Sequence, residues 1–272
     1  MAQVINEMPA RDYHKIDACS SSWLKAARKG AVEFYHKRNS ETEQTDSMLL
    51  GEIAHALVFP SSPRVLQDDY AILPESVGRK SKELQAELDA DPRIKVSKKI
   101  FDKAQDIANS VLSIKMIRRL KDHMDSMNEV TCLFDLNGVK CKCRWDFINP
   151  HVGIILDLKT TRDGVDPMSF SSTVAKYLYD QQAAFYVDAA ERAYGKKFTI
   201  AFVAVSTTAP HDACLFVPDD QMLSVGRQLY TENIKLYSEL ISENVTDISQ
   251  LLSQRQFESI SLPAWATDLR RR

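Results

Sequence analysis

The sequence predicts an α/β fold of the α+β kind, in which a mainly helical N-terminal portion leads into a sheet-bearing core. Three observations predict it. Apolar residues recur with helical period in stretches of the first 128 residues, the period changes at Glu129 to three β runs in quick succession, and a long helical stretch then precedes a nearly continuous apolar run. The 272 residues, 44% of them apolar, suffice for a substantial core, and no repeat, low-complexity tract or linker divides them. Residues 1–272 are therefore read as a single domain, made of a helical N-terminal portion (residues 1–128), a core (residues 129–245) and a C-terminal segment (residues 246–272).

The first helix is expected over residues 21–35, where Trp23, Leu24, Ala27, Ala31, Val32 and Phe34 form an apolar face and Lys25, Arg28 and Lys29 a basic one. The polar stretch 39–45 ends it. Asp46 or Ser47 can cap a second helix through MLLGEIAHALVF to Pro60. Residues 61–99 are the least regular region, a surface excursion carrying Arg79, Lys80, Ser81 and Lys82 and a short helix over 82–88. A further helix spans 98–113, continuing towards Leu120. EVTCLFDL, VKCKCRWDFINP and GIILDLKTT then read as strands, the first two joined at Asn137-Gly138, a strong hairpin signal. A helix over 172–194 ends at Gly195 as a C-cap, TIAFVAVS is a strand buried on both faces, ACLFV is a short strand, and a helix over 219–242 follows.

The formal net charge of −2 gives no global sign of a polyanion partner, yet clustered carboxylates cancel basic residues in such a sum. A local basic channel is compatible with it. Five cysteines at scattered positions (Cys19, Cys132, Cys141, Cys143, Cys214) show no CxxC pair and no zinc-finger spacing, which predicts reduced thiols. They also leave an iron–sulfur cluster without four suitably spaced ligands. The N-terminus lacks a secretory pattern, and no run reaches the roughly 18 apolar residues of a membrane span. The expectation is a cytoplasmic protein with no membrane partner.

The chemistry concentrates in GIILDLKT. Asp157 and Lys159, two apart and expected at a strand end, project from one face, while Leu156 and Leu158 project from the other. Asp146, in CRWDF, is expected at the end of the preceding strand, where hairpin pairing can bring it beside Asp157. Two such carboxylates, helped by a backbone carbonyl such as that of Leu158, make an oxygen-rich site suited to a hard divalent cation, naturally Mg²⁺. An Asp/Lys pair at this spacing is more commonly a solvated surface pair worth little. What argues otherwise is GIIL, which makes the strand leading into it a buried one, where ionised groups are commonly paired, metal-bound or functional. His55 lies on the LGEIAH helix one turn after Gly51, a glycine that costs about 1 kcal/mol relative to Ala in a helix and so suggests a close approach there. Gln182 and Tyr186, at i and i+4, share one helix face.

These motifs occur in a recognisable order. His55 in LGEIAH, Asp146 in CRWDF, Asp157-Leu158-Lys159 with Thr160-Thr161, and Gln182-Ala183-Ala184-Phe185-Tyr186 resemble the PD-(D/E)XK nucleases. The likeness is closer to the RecE-type (exonuclease VIII) nuclease domains and more distant to lambda exonuclease, and it spans an early DYH, SSSWL, FVAVSTT and a closing SLPAWA as well. The resemblance implies a mixed, mainly antiparallel sheet flanked by helices. It also implies a Mg²⁺-dependent exodeoxyribonuclease, with Mn²⁺ able to substitute and one or two ions per site, that digests linear double-stranded DNA 5′ to 3′. The 3′ overhangs left behind would serve phage-type recombination by strand annealing. Asp146, Asp157 (where many relatives carry Glu) and the Leu158 carbonyl would hold metal with His55. Lys159 would polarise the attacking water, Gln182 and Tyr186 would position Lys159 or DNA, and Glu129 matches a further acidic position. A ring-shaped homo-oligomer and a single-strand annealing partner are implied too. Lys25, Arg28, Lys29, Arg79, Lys80, Lys82 and Arg162 are the candidate phosphate contacts. The competing expectations are an endonuclease of the same superfamily and a non-catalytic DNA-binding module of the same fold.

Overall fold

A computed structural model describes residues 2–40, 44–73, 90–243, 245 and 248–253. Arg79, Lys80 and Lys82, the helix expected over 82–88, and the SLPAWA motif lie outside them.

The N-terminal portion opens with β1 (Gln3–Ile5) and α1 (Ala10–Lys15), which the sequence does not announce. The helix expected over 21–35 is two helices, α2 (Ser21–Arg28) and α3 (Ala31–Asn39), because Gly30 takes φ 108° between them. Ser20 caps α2, its hydroxyl accepting from the Trp23 N–H at 3.4 Å. In α4 (Asp46–Val58) the cap is Thr45 and not Asp46 or Ser47. After α5 (Val65–Asp69), β2 (Tyr70–Leu73) and β3 (Ile94–Ser97) make a small parallel pair in the region read as irregular. α6 (Lys98–Ser113) matches its expected span, and α7 (Lys115–Lys121) is a separate helix.

The core follows the expected order. It comprises β4 (Met127–Leu136), β5 (Val139–Asn149), β6 (Ile154–Thr161), α8 (Pro167–Tyr177), α9 (Tyr179–Tyr194), β7 (Thr199–Ser206), β8 (Ala213–Phe216), α10 (Asp220–Glu243) and α11 (Ile248–Ser253). Asn137 and Gly138 both take positive φ in the β4–β5 turn, the conformation a two-residue hairpin requires. Gly195 caps α9 in the left-handed region as expected. The helix expected over 172–194 instead begins at Pro167 behind an Asp166 cap and breaks at Leu178, which adopts φ 52° and ψ 48°.

The six strands run β1-β4-β5-β6-β7-β8, antiparallel throughout except for the parallel β6–β7 pair that α8 and α9 bridge. Helices cover both faces. Cys132, Trp145, Ile155 and Phe202 pack one face against Leu24, Phe34, Phe185 and Tyr230. Phe147, Leu156, Leu158 and Val203 pack the other against Ile53, Val58, Ile107 and Val111. Each fully buried side chain of this size contributes roughly 1.5–3 kcal/mol. Cys132, Cys141 and Cys143 lie in the first cluster, and all five cysteines are free.

Two details fix the helices that matter for the site. The ammonium of Lys142, a buried residue, donates to the carbonyls of Tyr13 at 2.8 Å and Ile16 at 2.7 Å, so β5 holds the end of α1 and the approach to α2. At the α9–α10 crossing, a Cβ on Gly226 would lie 2.2 Å from the carbonyl oxygen of Asp180. Gly226→Ala should therefore separate these helices and cost about 1–3 kcal/mol, read as a lowered urea midpoint; an unchanged midpoint would show that the crossing tolerates the extra methyl. Gly51 behaves differently: a Cβ there meets only Thr160 Oγ1 at 3.4 Å, an ordinary contact, so the expected close approach is not what its presence reflects.

Candidate active site

The site lies where the sheet forks. β5 pairs with β6 only from Phe147↔Leu156 to Asn149↔Ile154; before Phe147, β5 keeps to β4, while beyond Leu156, β6 keeps to β7. Asp146 and Asp157 face each other across the opening, and Asp146 Oδ2 accepts from the Leu158 N–H at 2.7 Å. Neither aspartate is at a strand end, as the sequence suggested; both are inside strands, because β5 continues to Asn149 and β6 to Thr161. A carboxylate mid-strand is held far more rigidly than one on a turn.

Three side chains meet on the α4 side of the fork. His55 Nδ1 lies 3.2 Å from Asp146 Oδ2, and one donor atom each from His55, Glu129 and Asp146 lie within 4.8 Å of one another. Glu129 sits between the paired Asn128↔Phe147 and Val130↔Trp145, hence across from Asp146, and takes φ 52° within its strand. A left-handed residue other than glycine costs energy, and such strain concentrates at functional positions. Arg144, 2.6 Å from Glu129 Oε2, partly balances the carboxylates, and Tyr13 lies against its guanidinium at 5.9 Å. Burial and the nearby Asp146 push the Glu129 carboxyl up to about 7, against the opposing pull of Arg144 and His55.

On the α9 side, Asp157 is nearly inaccessible. Its Oδ1 accepts from Gln182 Nε2 at 3.2 Å, and its Oδ2 lies 2.5 Å from Lys159 Nζ without hydrogen-bond geometry. Burial raises the Asp157 carboxyl above its ordinary range, Lys159 opposes that, and Asp146 adds to it. Burial alone would lower the Lys159 ammonium, but Asp157 and Asp146 outweigh it, so Lys159 stays charged. Its Nζ sits 4.8 Å from the centre of the Tyr179 ring, and Lys25 Nζ lies 5.2 Å from that same ring. Burial, then Lys159, bring the Lys25 ammonium down to about 7.

The structure thus brings His55, Glu129, Asp146, Asp157, Leu158, Lys159 and Gln182 together. Asp157, expected among the metal ligands, has its oxygens beside Lys159 and Gln182, and the Leu158 N–H donates to Asp146. The Tyr186 phenol is buried, raised in pKa by desolvation, and its backbone carbonyl accepts from Trp145 Nε1 at 3.1 Å. Of the basic candidates, Lys25 reaches the site; Arg28 and Arg162 are exposed, and Lys29 pairs with Glu33 at 3.3 Å. The sequence reading gave no role to Arg144 in CRWDF, Tyr13 in DYH or Tyr179. Arg144 had a signal, since R-x-D on a strand puts it on the face of Asp146.

The donor set suits a hard divalent cation: two carboxylates and an imidazole converge. A family model described as a PDDEXK-like domain of unknown function, DUF3799, matches residues 20–249. The chain belongs to the DUF3799 family. The fold of this DUF3799 chain is correspondingly that of the PD-(D/E)XK superfamily. A crystal structure of a candidate exonuclease from Eubacterium rectale superposes with a TM-score of 0.65 at 17% identity, covering 96% of this chain and 97% of that one, and so shares the fold. The crystal structure of SSO0001 aligns over 83% of this chain and 87% of its own at 16% identity, with a TM-score of 0.30 too low to argue from. No curated protein matches the chain. Among the described residues, no helix is long and apolar enough to cross a membrane.

Because a metal-binding carboxylate must be ionised, cation binding should release a proton from Glu129 below about pH 7. The raised value fixes the sign for stability also. In the metal-free protein the Glu129 contribution is fully present below its ordinary 4.5 and is lost as pH rises through about 7. Calorimetric titration with Mg²⁺ in buffers of different ionisation enthalpy should show proton release at pH 6 that fades by pH 8 and is missing in Glu129→Gln. Equal release from wild type and variant would contradict the assignment.

Proposed function

We propose that this DUF3799 chain is a Mg²⁺-dependent exodeoxyribonuclease that degrades linear double-stranded DNA from its ends, in the 5′ to 3′ direction. The observation that carries the reading is the forked sheet, which sets His55, Glu129 and Asp146 beside a charged, buried Lys159. His55, Glu129 and Asp146 would hold a divalent cation. A cation so held supplies a bound water of lowered pKa and positive charge for the phosphate oxygens. Lys159 adds a fixed cation at the same centre; Asp157 keeps it charged, and Gln182 keeps Asp157 turned towards it. Preorganised charge of this kind does not have to reorient as negative charge develops on the phosphate. The E. rectale structure, described as a candidate exonuclease, supports the choice of reaction class, and the RecE-type motif order supports end-dependent attack. We extend the reading to one functional unit over residues 1–272, a ring-shaped homo-oligomer and a single-strand annealing partner, on the strength of that motif order alone.

The test compares end-labelled linear duplex with covalently closed circular duplex, in Mg²⁺ and in EDTA. The reading requires loss of label from the linear DNA in Mg²⁺ only and an intact circle. Cutting of the circle would make the enzyme an endonuclease, and binding without cutting of either would make it a DNA-binding module. Lys25, facing the same ring as Lys159, is the phosphate contact the site favours most. At pH 6, where the Lys25 ammonium is charged, Lys25→Ala should reduce the slope of log K against log salt for duplex by roughly 0.9, the value for one phosphate contact. An unchanged slope excludes that role.

A further inference from the structure

Beside the reacting centre, the chain makes a break that its function so far leaves unexplained. Tyr177 ends α8 and Tyr179 begins α9, with Leu178 left-handed between them. Residues two apart on a continuous helix do not face each other. Here the reversal at Leu178 lets the two rings stack, with centroids 5.7 Å apart and planes at 25°. The left-handed conformation costs a leucine roughly 1–2 kcal/mol. The inner ring, Tyr179, is flanked by the ammonium groups of Lys159 and Lys25, and the outer ring, Tyr177, by Lys176 at 5.2 Å. Tyr177 is 47% exposed, so the stack that starts at Lys159 ends in a ring open to solvent.

We propose that the Tyr177–Tyr179 stack is a nucleobase platform, on which an unpaired base of the strand being cut lies against Tyr177 while its phosphates pass the lysines. The inference rests on the nuclease reading above and adds to it a place for the base. Its chemistry decides the occupant: an aromatic face interleaved with cations takes a flat, anionic chain, and a base inside a duplex, covered on both faces, has none to offer it. The proposed occupant is an unpaired base, so the substrate strand is frayed at the site, and engagement does not depend on which base is present, since every base has a π-face.

The experiment uses a single-stranded oligonucleotide carrying 2-aminopurine, and a series of the same oligonucleotides in which one abasic site is moved stepwise from the 5′ end, all bound in EDTA so that no strand is cut. Wild-type protein should quench the 2-aminopurine, and one abasic position should weaken its binding on the order of tenfold. Tyr177→Ala should bind the intact strand weaker by a similar factor and lose the preference for intact over abasic at that position; Tyr177→Phe should restore both. The platform is overturned if Tyr177→Ala quenches and discriminates like wild type, or if wild type binds every abasic strand as well as the intact one. Digestion of end-labelled duplex in Mg²⁺, run in parallel, separates the two levels. Cleavage with no Tyr177-dependent discrimination removes the platform and keeps the nuclease, whereas discrimination without cleavage keeps the platform and removes the nuclease.

Discussion

Lys159→Ala is expected to lower the single-turnover rate of duplex hydrolysis on the order of 10²–10³-fold, equivalent to about 3–4 kcal/mol, the loss typical of one preorganised transition-state donor. The size of the loss follows from where the charge is kept. Lys159 has a side chain only 12% exposed, yet it remains an ammonium because Asp157, itself 2% exposed, lies against it. Removing the lysine does more than delete a donor. It leaves Asp157 buried without its cation, and a carboxyl already raised by burial loses the neighbour that opposes the rise. DNA affinity should change little, since the lost interaction is realised mainly as charge develops on the phosphate. Lys159→Arg should restore only a small part of the rate, because the planar guanidinium cannot occupy the place of a compact ammonium against Tyr179. A rate equal to wild type in Lys159→Ala would remove the lysine from the chemistry.

Asp146→Ala is expected to abolish measurable activity, a loss beyond that of Lys159→Ala, because one carboxylate does three things. It pairs with His55, accepts the Leu158 N–H in the fork and contributes to the group that would hold the cation. Stability should respond differently. Loss of a charge-assisted hydrogen bond costs about 1.5–3 kcal/mol. Against that, removing Asp146 relieves the repulsion that raises both Glu129 and Asp157. The two effects oppose each other, so the metal-free variant should unfold close to the wild-type midpoint while Mg²⁺ no longer stabilises it. Differential scanning calorimetry with and without Mg²⁺ reads both. A variant still stabilised by Mg²⁺ to the wild-type extent would show that the ion is held elsewhere.

Much of this site was legible in the residues because it depends on local period. The alternation in GIILDLKTT places Asp157 and Lys159 together and sends Leu156 and Leu158 to the core, as found. Asn137-Gly138 and Gly195 mark their turn and cap through the one conformation each must adopt. The PD-(D/E)XK motif order carried the mixed, mainly antiparallel sheet, and the strand pairing has it. Other features depend on partners far away in the chain. Gly30 and Leu178 interrupt stretches whose apolar period runs on unbroken, and nothing around Leu178 marks a leucine for a left-handed turn. Lys25 reads as one more basic residue on a helix face; only the tertiary packing of α2 on α9 and α10, steadied by Lys142, brings it to Tyr179. β1, β2 and β3 are too short for alternation to stand out, and their formation follows from pairing. The strand-end placement of Asp146 and Asp157 failed because the fork opens inside the strands, which pairing in register with β4 and β7 allows and sequence period does not reveal.

The proposed chemistry requires one divalent cation held at the fork by His55, Glu129 and Asp146, beside Lys159. Anomalous diffraction from crystals of the full chain soaked in Mn²⁺ tests this directly. The expected result is a single strong peak, or a close pair, within bonding distance of those three side chains, displaced by excess Mg²⁺. Density elsewhere, with the three side chains bound only to one another and to Arg144, would contradict it.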